Sequence, residues 1–249
     1  MDVSAIKVIA LDLDGTLTQH KSPLEGKTRE TLRKLQEKYR LLMVGAGQCM
    51  RIFRQMGGYP VDIIGNYGLQ YCAYDKAAEG LVTVYNHVLP CDREKVAGRI
   101  AALREALGLV RLYGEIVEFH DSGCVTFPLL GTRAPLDEKL ACDPDRSLRR
   151  AMYQKVKDAF PEYRVFVGGS SSFDMAPAPY DKYYALDAWC GDQGLRHENV
   201  LYAGDDYGLG GNDEAVYLSD FPFLTIDDYR SFPEKMAALF RLEEPVTAR

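Results

Sequence analysis

The residues with the clearest chemical meaning are Asp12-Leu13-Asp14-Gly15-Thr16, which close the short apolar run 6–11. Carboxylates two positions apart on a strand face the same side. Like charges so placed repel, raising one pKa unless a cation lies between them. Gly15 lets the chain turn sharply and bring backbone N–H groups toward an anion. The pattern suits a nucleophilic carboxylate, a neighbouring acid/base and a Mg²⁺ site, at the carboxyl edge where α/β sheets place their ligands. An Asp-Gly pair alone would be an ordinary solvated turn; the apolar strand before it and Gly-Thr after it set this one apart.

A second acidic loop, Gly204-Asp205-Asp206 with Gly210-Gly211-Asn212-Asp213, follows the apolar run 200–203. Mg²⁺ takes oxygen ligands and keeps several waters, so one direct carboxylate with supporting neighbours is enough. Such a loop is common turn composition on its own, and gains meaning from Asp12 and Asp14. The third feature is Tyr180-Asp181-Lys182 at the start of a helix. Lys182 there can meet the charge of a phosphoryl group or of the aspartate pair.

These residues need elements to hold them. The runs 6–11, 41–44 and 61–64 are short, apolar and closed by glycines, with Leu32, Leu35 and Tyr39 at helical spacing between the first two. Buried runs alternating with helices predict a parallel sheet with helices on its faces. After His87 the rhythm changes. Asp92 can cap a helix carrying Val96, Ile100, Leu103 and Leu107. The alternating runs 115–120 and 124–129, joined by Asp121-Ser122-Gly123, predict a hairpin. Its alternation puts Ile116, Glu118 and His120 on one face and Glu115, Val117 and Phe119 on the other. Val117 and Phe119 are expected to pack on helices, leaving Glu118 and His120 toward a cleft.

A helix with Leu148, Met152, Val156 and Phe160 stops at Pro161, and extended segments 164–167 and 172–175 follow. Ser172 and Asp174 share a strand face. The parallel rhythm then resumes with a helix capped by Asp181, holding Leu186 and Trp189 and ended by Gly191 or Gly194, and with strands at 200–203 and 223–226. The predicted fold is α/β: a Rossmann-like parallel-sheet core from residues 1–87 and 180–249, with an α+β cap, 88–179, inserted. Residues 243–249 read as a frayed tail.

Composition narrows the function classes. In 249 residues, 30 basic side chains face 36 acidic ones for a net charge of −6, and no basic run tracks a phosphate backbone. Nucleic acid is thereby excluded as the main partner. The apolar fraction of 47% is that of a globular protein large enough to need no disulfide or structural metal. Cys49, Cys72, Cys91, Cys124, Cys142 and Cys190 are scattered, with no C-x-x-C pair, and read as reduced thiols. The four histidines show no metal-ligand spacing, so zinc is not expected. No run approaches the ~18 apolar residues of a bilayer span, and no signal peptide precedes the first strand. The expected setting is cytoplasmic, with no membrane partner and a possible homodimer.

Together, Asp12-Leu13-Asp14-Gly15-Thr16, Lys182 and Gly204-Asp205-Asp206 resemble the haloacid dehalogenase superfamily of phosphotransferases. The resemblance extends to its eukaryotic phosphomannomutase branch. It runs through 114–119, Val167-Gly168-Gly169, Ser172-Phe173-Asp174, Tyr180-Asp181-Lys182 and Gly210-Gly211-Asn212-Asp213, in the same order. It implies that Asp12 attacks phosphorus in line and becomes an aspartyl phosphate, while Asp14 protonates the leaving oxygen and then acts as base. It implies Mg²⁺ held by the Asp12 carboxylate, the Asp14 backbone carbonyl and Asp205, with Asp213 in the outer shell. Lys182 would offset phosphoryl charge, and Ser172 and Asp174 match the sugar-contacting pair.

Two departures shape the expected reaction. After its second core strand the superfamily usually offers a serine or threonine to the phosphate. Here the segment is Val44-Gly45-Ala46-Gly47-Gln48, so the Gly45 backbone and the Gln48 amide are the expected donors. Mutase caps grip a distal phosphate with arginines; the closest positions here are His120, Thr132 and Lys139, with Arg133 one residue off register. Arginine's bidentate fork is not replaced in kind by histidine or threonine. A mutase must hold its intermediate with either phosphate at the nucleophile, whereas a phosphatase needs only water. The expected function is therefore a Mg²⁺-dependent sugar-phosphate phosphatase, with a hexose-phosphate mutase as the alternative. A catalytically silent sugar-phosphate-binding relative is a third reading, against which the full set Asp12, Asp14, Lys182 and Asp205 speaks.

Overall fold

The computed structural model describes residues 3–241, so the expected tail at 243–249 lies outside the described residues. Strands β1 (Val8–Leu11), β2 (Arg40–Val44) and β3 (Asp62–Gly65) lie side by side and parallel, connected through α1 (Gly26–Gln36) and α2 (Cys49–Gln55). The two-residue period of β1 splits it between two cores. Ile9 and Leu11 pack with Leu32, Leu35, Ile52 and Met236 on one face. Val8 and Ala10 pack with Leu186, Trp189 and Tyr202 on the other. Both faces are buried, which is why the strand reads as a continuous apolar run.

Strands β4 (Gln70–Asp75) and β5 (Gly80–Asn86) then form an antiparallel hairpin at the edge of this sheet. The sequence pattern did not announce them. Val82, Thr83 and Val84 on β5 are exposed, so the strand lacks the alternation that burial imposes.

A second, four-stranded antiparallel sheet comes from the middle of the chain. Its elements are α3 (Arg93–Ala106), β6 (Glu118–Phe119), β7 (Val125–Pro128), α4 (Leu136–Cys142), α5 (Ser147–Ala159), β8 (Tyr163–Gly168) and β9 (Ser172–Pro177), with strand order β6-β7-β9-β8. Val96 and Ile100 of α3 and Val156 of α5 cover Phe127, Phe173 and Met175 of the sheet. The predicted hairpin is shorter than its alternation suggested: only Glu118 and Phe119 pair with Thr126 and Val125. Upstream, Tyr113 N–H donates to Leu130 O and Thr132 N–H to Glu115 O, so this stretch binds the loop after β7 instead. Ile116 accordingly packs on the same apolar cluster as Val117 and Phe119, against the expected alternation.

The chain returns to the first sheet through α6 (Lys182–Asp192), β10 (Val200–Gly204), α7 (Glu214–Tyr217), β11 (Phe223–Thr225) and α8 (Phe232–Phe240). The complete sheet has seven strands in the order β11-β10-β1-β2-β3-β4-β5. The observed class is the predicted one, α/β with a parallel-dominated sheet. Asp181 caps α6 by accepting from Tyr184 N–H at 2.7 Å. The helix runs through Gly191 and stops before Gly194, which takes φ +63°. All six cysteines are unpaired. No helix among the described residues is long and apolar enough to cross a membrane.

The two sheets meet along one seam. Val167 N–H donates to Gly210 O at 2.8 Å. Tyr67 stacks on Phe166 with ring centres 4.4 Å apart. Cys124 and Ala176 of the second sheet join Tyr67 and Leu69 of the first in a small apolar cluster. A cavity of about 440 Å³ opens beside this seam, at the carboxyl ends of β1, β2 and β10.

Candidate active site

Asp12 follows directly on β1, and its N–H still donates to Ala203 O at 3.0 Å, extending the parallel ladder by one residue. On the alternation of β1 it shares the face of Val8 and Ala10, the face that α6 covers. The first turn of α6 therefore brings Lys182 to it. Lys182 Nζ donates to Asp12 Oδ1 at 2.7 Å, to Asp213 Oδ1 at 2.8 Å and to Asn212 Oδ1 at 2.8 Å. All three ammonium protons are used, and the side chain is completely buried. Burial opposes the charge on Lys182, but Asp12 and Asp213 outweigh it and hold its pKa above the ordinary value.

Asp213 is saturated. Its Oδ1 also accepts from Tyr202 OH at 2.6 Å. Its Oδ2 accepts from the N–H groups of Asp205 and Asp206 at 3.1 and 3.0 Å. It thus shapes the loop after β10 and anchors Lys182, which fits a supporting place beside a cation. Asp205 accepts from Thr16 Oγ1 at 2.9 Å. Gly15 is required beneath it: at φ +99°, a Cβ there would lie 2.3 Å from Asp205 Oδ2.

Carboxylate oxygens of Asp12, Asp205 and Asp213 lie within 4.8 Å of one another. Burial, aided by Asp12 and Asp213, pushes Asp205 up to about 8. Asp12 is pushed up to about 6, again by burial first, with Lys182 opposing and Asp213 adding to the rise. Asp12 and Asp205, two close carboxylates with Asp213 behind them, form a donor set that fits a hard cation.

Asp14 does not turn toward this group. Its Oδ1 accepts from Lys21 N–H and from Gln55 Nε2, both at 2.7 Å, and its Oδ2 faces Arg51 at 3.4 Å. Burial works against its charge, but the Gln55 and Lys21 hydrogen bonds and the Arg51 guanidinium hold its pKa below the ordinary value. Asp14 stands at the cavity in its basic form.

The Gly45-to-Gln48 loop lines the cavity, with one correction to expectation. Gly45 N–H is spent on Ile64 O at 2.9 Å, because the β2–β3 ladder continues through that residue, so it is no free donor. Gln48 lines the cavity.

On the opposite wall, the second sheet contributes Glu118, His120, Ser172 and Asp174. His120 Nε2 lies 2.9 Å from Thr126 Oγ1, which in turn donates to Asp174 Oδ1 at 3.0 Å. Burial raises the Asp174 pKa, with the Thr126 hydrogen bond partly offsetting it. Gly168 makes room for this carboxylate, since a Cβ there would fall 2.1 Å from Asp174 Oδ2. Arg149, 1% exposed, pairs with Asp143 at 2.7 Å and donates to the carbonyls of Gly168, Gly169 and Ser172, fixing the turn that presents Ser172 and Asp174.

Arg133 and Lys139 are not in this wall, contrary to expectation. The loop carrying Arg133 is bound back on 113–115, and Lys139 donates to Thr132 O at 3.4 Å. The cation that does reach the cavity from this side is Arg146, paired with Asp206 Oδ1 at 2.6 Å. Sequence reasoning missed it, as it did Lys21, Arg51 and Gln55: each is a lone polar residue in a loop or exposed helix turn, without spacing to mark it. Thr16, by contrast, was visible within the first motif.

The family model that matches the chain, over residues 28–223, is that of eukaryotic phosphomannomutase. Curated relatives include the phosphomannomutase of Saccharomyces cerevisiae, 26% identical over 223 residues that span 86% of this chain and 85% of the yeast protein. Human phosphomannomutase 1 is 25% identical across 83% of this chain and 81% of its own. Among solved structures, a phosphatase of the haloalkanoate (HAD) enzyme superfamily from Bacteroides thetaiotaomicron superposes with a TM-score of 0.60 at 14% identity, covering 97% of this chain and 98% of that one. The IMP-nucleotidase of Plasmodium falciparum gives 0.65 at 12% identity, over 95% of this chain and 69% of its own.

Proposed function

The chain belongs to the eukaryotic phosphomannomutase family, and from that premise we propose that it hydrolyses a phosphorylated sugar, with Mg²⁺, through an aspartyl phosphate on Asp12. It is an enzyme of phosphoryl transfer. Residues 1–87 and 180–249 act as the core that carries the chemistry, and 88–179 as a cap that covers it.

Asp12, Asp205 and the Asp14 carbonyl would hold Mg²⁺, with Asp213 supporting them from behind. Bound there, the cation supplies charge neutralisation between the attacking carboxylate and the phosphoryl oxygens. The Asp12 carboxylate forms a bond to phosphorus while the bond to the sugar oxygen breaks, and Asp14, when protonated, gives its proton to that oxygen. Water then attacks the phosphorus of the aspartyl phosphate, and Asp14 takes up a proton from it. Inorganic phosphate leaves and the Asp12 carboxylate is restored. Lys182 holds Asp12 in place and offsets phosphoryl charge. Ser172 and Asp174 receive the sugar.

The observation that favours hydrolysis over isomerisation is the wall opposite Asp12. Among the described residues of 88–179, the single guanidinium lining the cavity is Arg146, and Asp206 occupies it. A bisphosphate intermediate needs a strong second phosphate grip there; a monophosphate awaiting water does not. Family membership favours the second reading, a hexose-phosphate mutase. The test is inorganic phosphate release from a panel of hexose phosphates with Mg²⁺, alongside a chelator control and Asp12→Asn. Release that both controls abolish supports hydrolysis. Interconversion of hexose 1- and 6-phosphates with no release makes the enzyme a mutase.

A further inference from the structure

Tyr67 is built into the site in a way the mechanism above leaves unused. Asn66 and Tyr67 both take positive φ, 48° and 57°. Left-handed backbone at non-glycine residues is costly and tends to mark functional segments. The strain is held in place by Asn66 N–H donating to Gly47 O at 2.9 Å and Tyr67 N–H to Gly45 O at 3.2 Å. The effect is to send the Tyr67 ring across the seam, flat against Phe166, with its planes within 8° of parallel.

Tyr67 is one of the residues that line the cavity; it is only 3% exposed, and its hydroxyl is buried. Among the described residues that hydroxyl has no hydrogen-bond partner. Buried phenols usually find a partner, because leaving the group unsatisfied carries the full penalty of its desolvation. Burial first, then the charges of Asp174, Cys124, Asp12 and Asp206, keep it a neutral donor well above its ordinary pKa. Tyr67 and Asp174 line the same cavity, whereas Lys182 is not among its lining residues.

We propose that Tyr67 is a specificity-determining residue whose hydroxyl donates to a hydroxyl oxygen of the bound sugar, the same hydroxyl that donates its own proton to the Asp174 carboxylate. A neutral sugar hydroxyl satisfies both groups at once, as acceptor for one and donor for the other. A phosphoryl oxygen in that position would face the Asp174 carboxylate directly. The inference rests on the sugar-phosphate reading and adds a contact to it.

Tyr67→Phe removes one oxygen and keeps the ring on Phe166. The measurement is kcat/KM for the hexose phosphate that the wild type turns over best, against p-nitrophenyl phosphate, which carries no sugar hydroxyl. The ratio of the two is expected to fall about tenfold, mainly through KM for the sugar phosphate, with an unchanged or raised Tm. An unchanged ratio overturns the proposal, whether both activities persist or both fall equally, since equal loss would place the oxygen at the phosphoryl end. Failure of the underlying reading looks different: the wild type itself would transform no hexose phosphate.

Discussion

Lys182 and Asp12 stand 170 positions apart in the chain and 2.7 Å apart in space, both out of solvent. The fold brings them together because β1 and α6 pack face to face, and Asp213 completes the triangle. Removing the lysine would leave two buried carboxylates facing each other. Lys182→Met is therefore expected to cost about 3–5 kcal/mol of stability and to abolish turnover, as read by denaturant unfolding and phosphate release. Asp12→Asn should behave differently: it keeps an oxygen for Lys182, so turnover is lost while unfolding changes little. Equal destabilisation by both substitutions would contradict this division of roles.

Asp213 supplies acceptors to Lys182, Tyr202 and two backbone N–H groups. Asp213→Asn turns one oxygen into a donor aimed at donors. Mg²⁺ affinity, measured by calorimetry, is expected to fall about 10–100-fold, as for other outer-shell partners of a metal. Unchanged affinity would remove Asp213 from the cation site.

Arg149 and Asp143 form a second buried pair, each side chain 1% exposed. Arg149→Met should cost about 3–5 kcal/mol and loosen the Gly168-to-Ser172 turn, raising KM for a sugar phosphate more than for an aryl phosphate. A stable variant with ordinary KM would show that the turn holds without it.

His197 offers a pH test remote from the site. It lies between Asp187 and Asp220 and stacks on Phe221 at 3.8 Å. Burial lowers its pKa, but hydrogen bonds to Asp220 and Asp187 outweigh this and raise it. A raised histidine pKa stabilises the fold fully below the unfolded value of about 6.5, and that contribution fades as pH rises through the folded value. His197→Gln should thus lower Tm more at about pH 6 than at about pH 9. A pH-independent difference would mean that the imidazole charge contributes nothing.

How much of this was legible in the sequence follows the physics of each residue. Asp12 and Asp205 sit where apolar strands end and Lys182 where a capped helix begins, so burial and turn chemistry marked their positions. Arg146, Gln55 and Tyr67 are single side chains whose meaning depends on what lies across the cleft, and one-dimensional spacing holds no trace of that. Arg133 and Lys139 are not among the residues that line the cavity, for the same reason. Their register was readable, whereas the fold-back of 129–133 onto 113–115 is a tertiary fact. The β4–β5 hairpin escaped notice because an exposed edge strand need not alternate.

The proposal that this family member hydrolyses its substrate is tested most directly by ³¹P NMR of the protein with Mg²⁺, mannose 1-phosphate and a trace of hexose 1,6-bisphosphate. Growth of the inorganic phosphate signal at the expense of mannose 1-phosphate is the expected result, as Arg146 is tied to Asp206 and Arg133 and Lys139 lie outside the cleft. Growth of a 6-phosphate signal with no inorganic phosphate would contradict it, and would show that the cap grips a second phosphate after all.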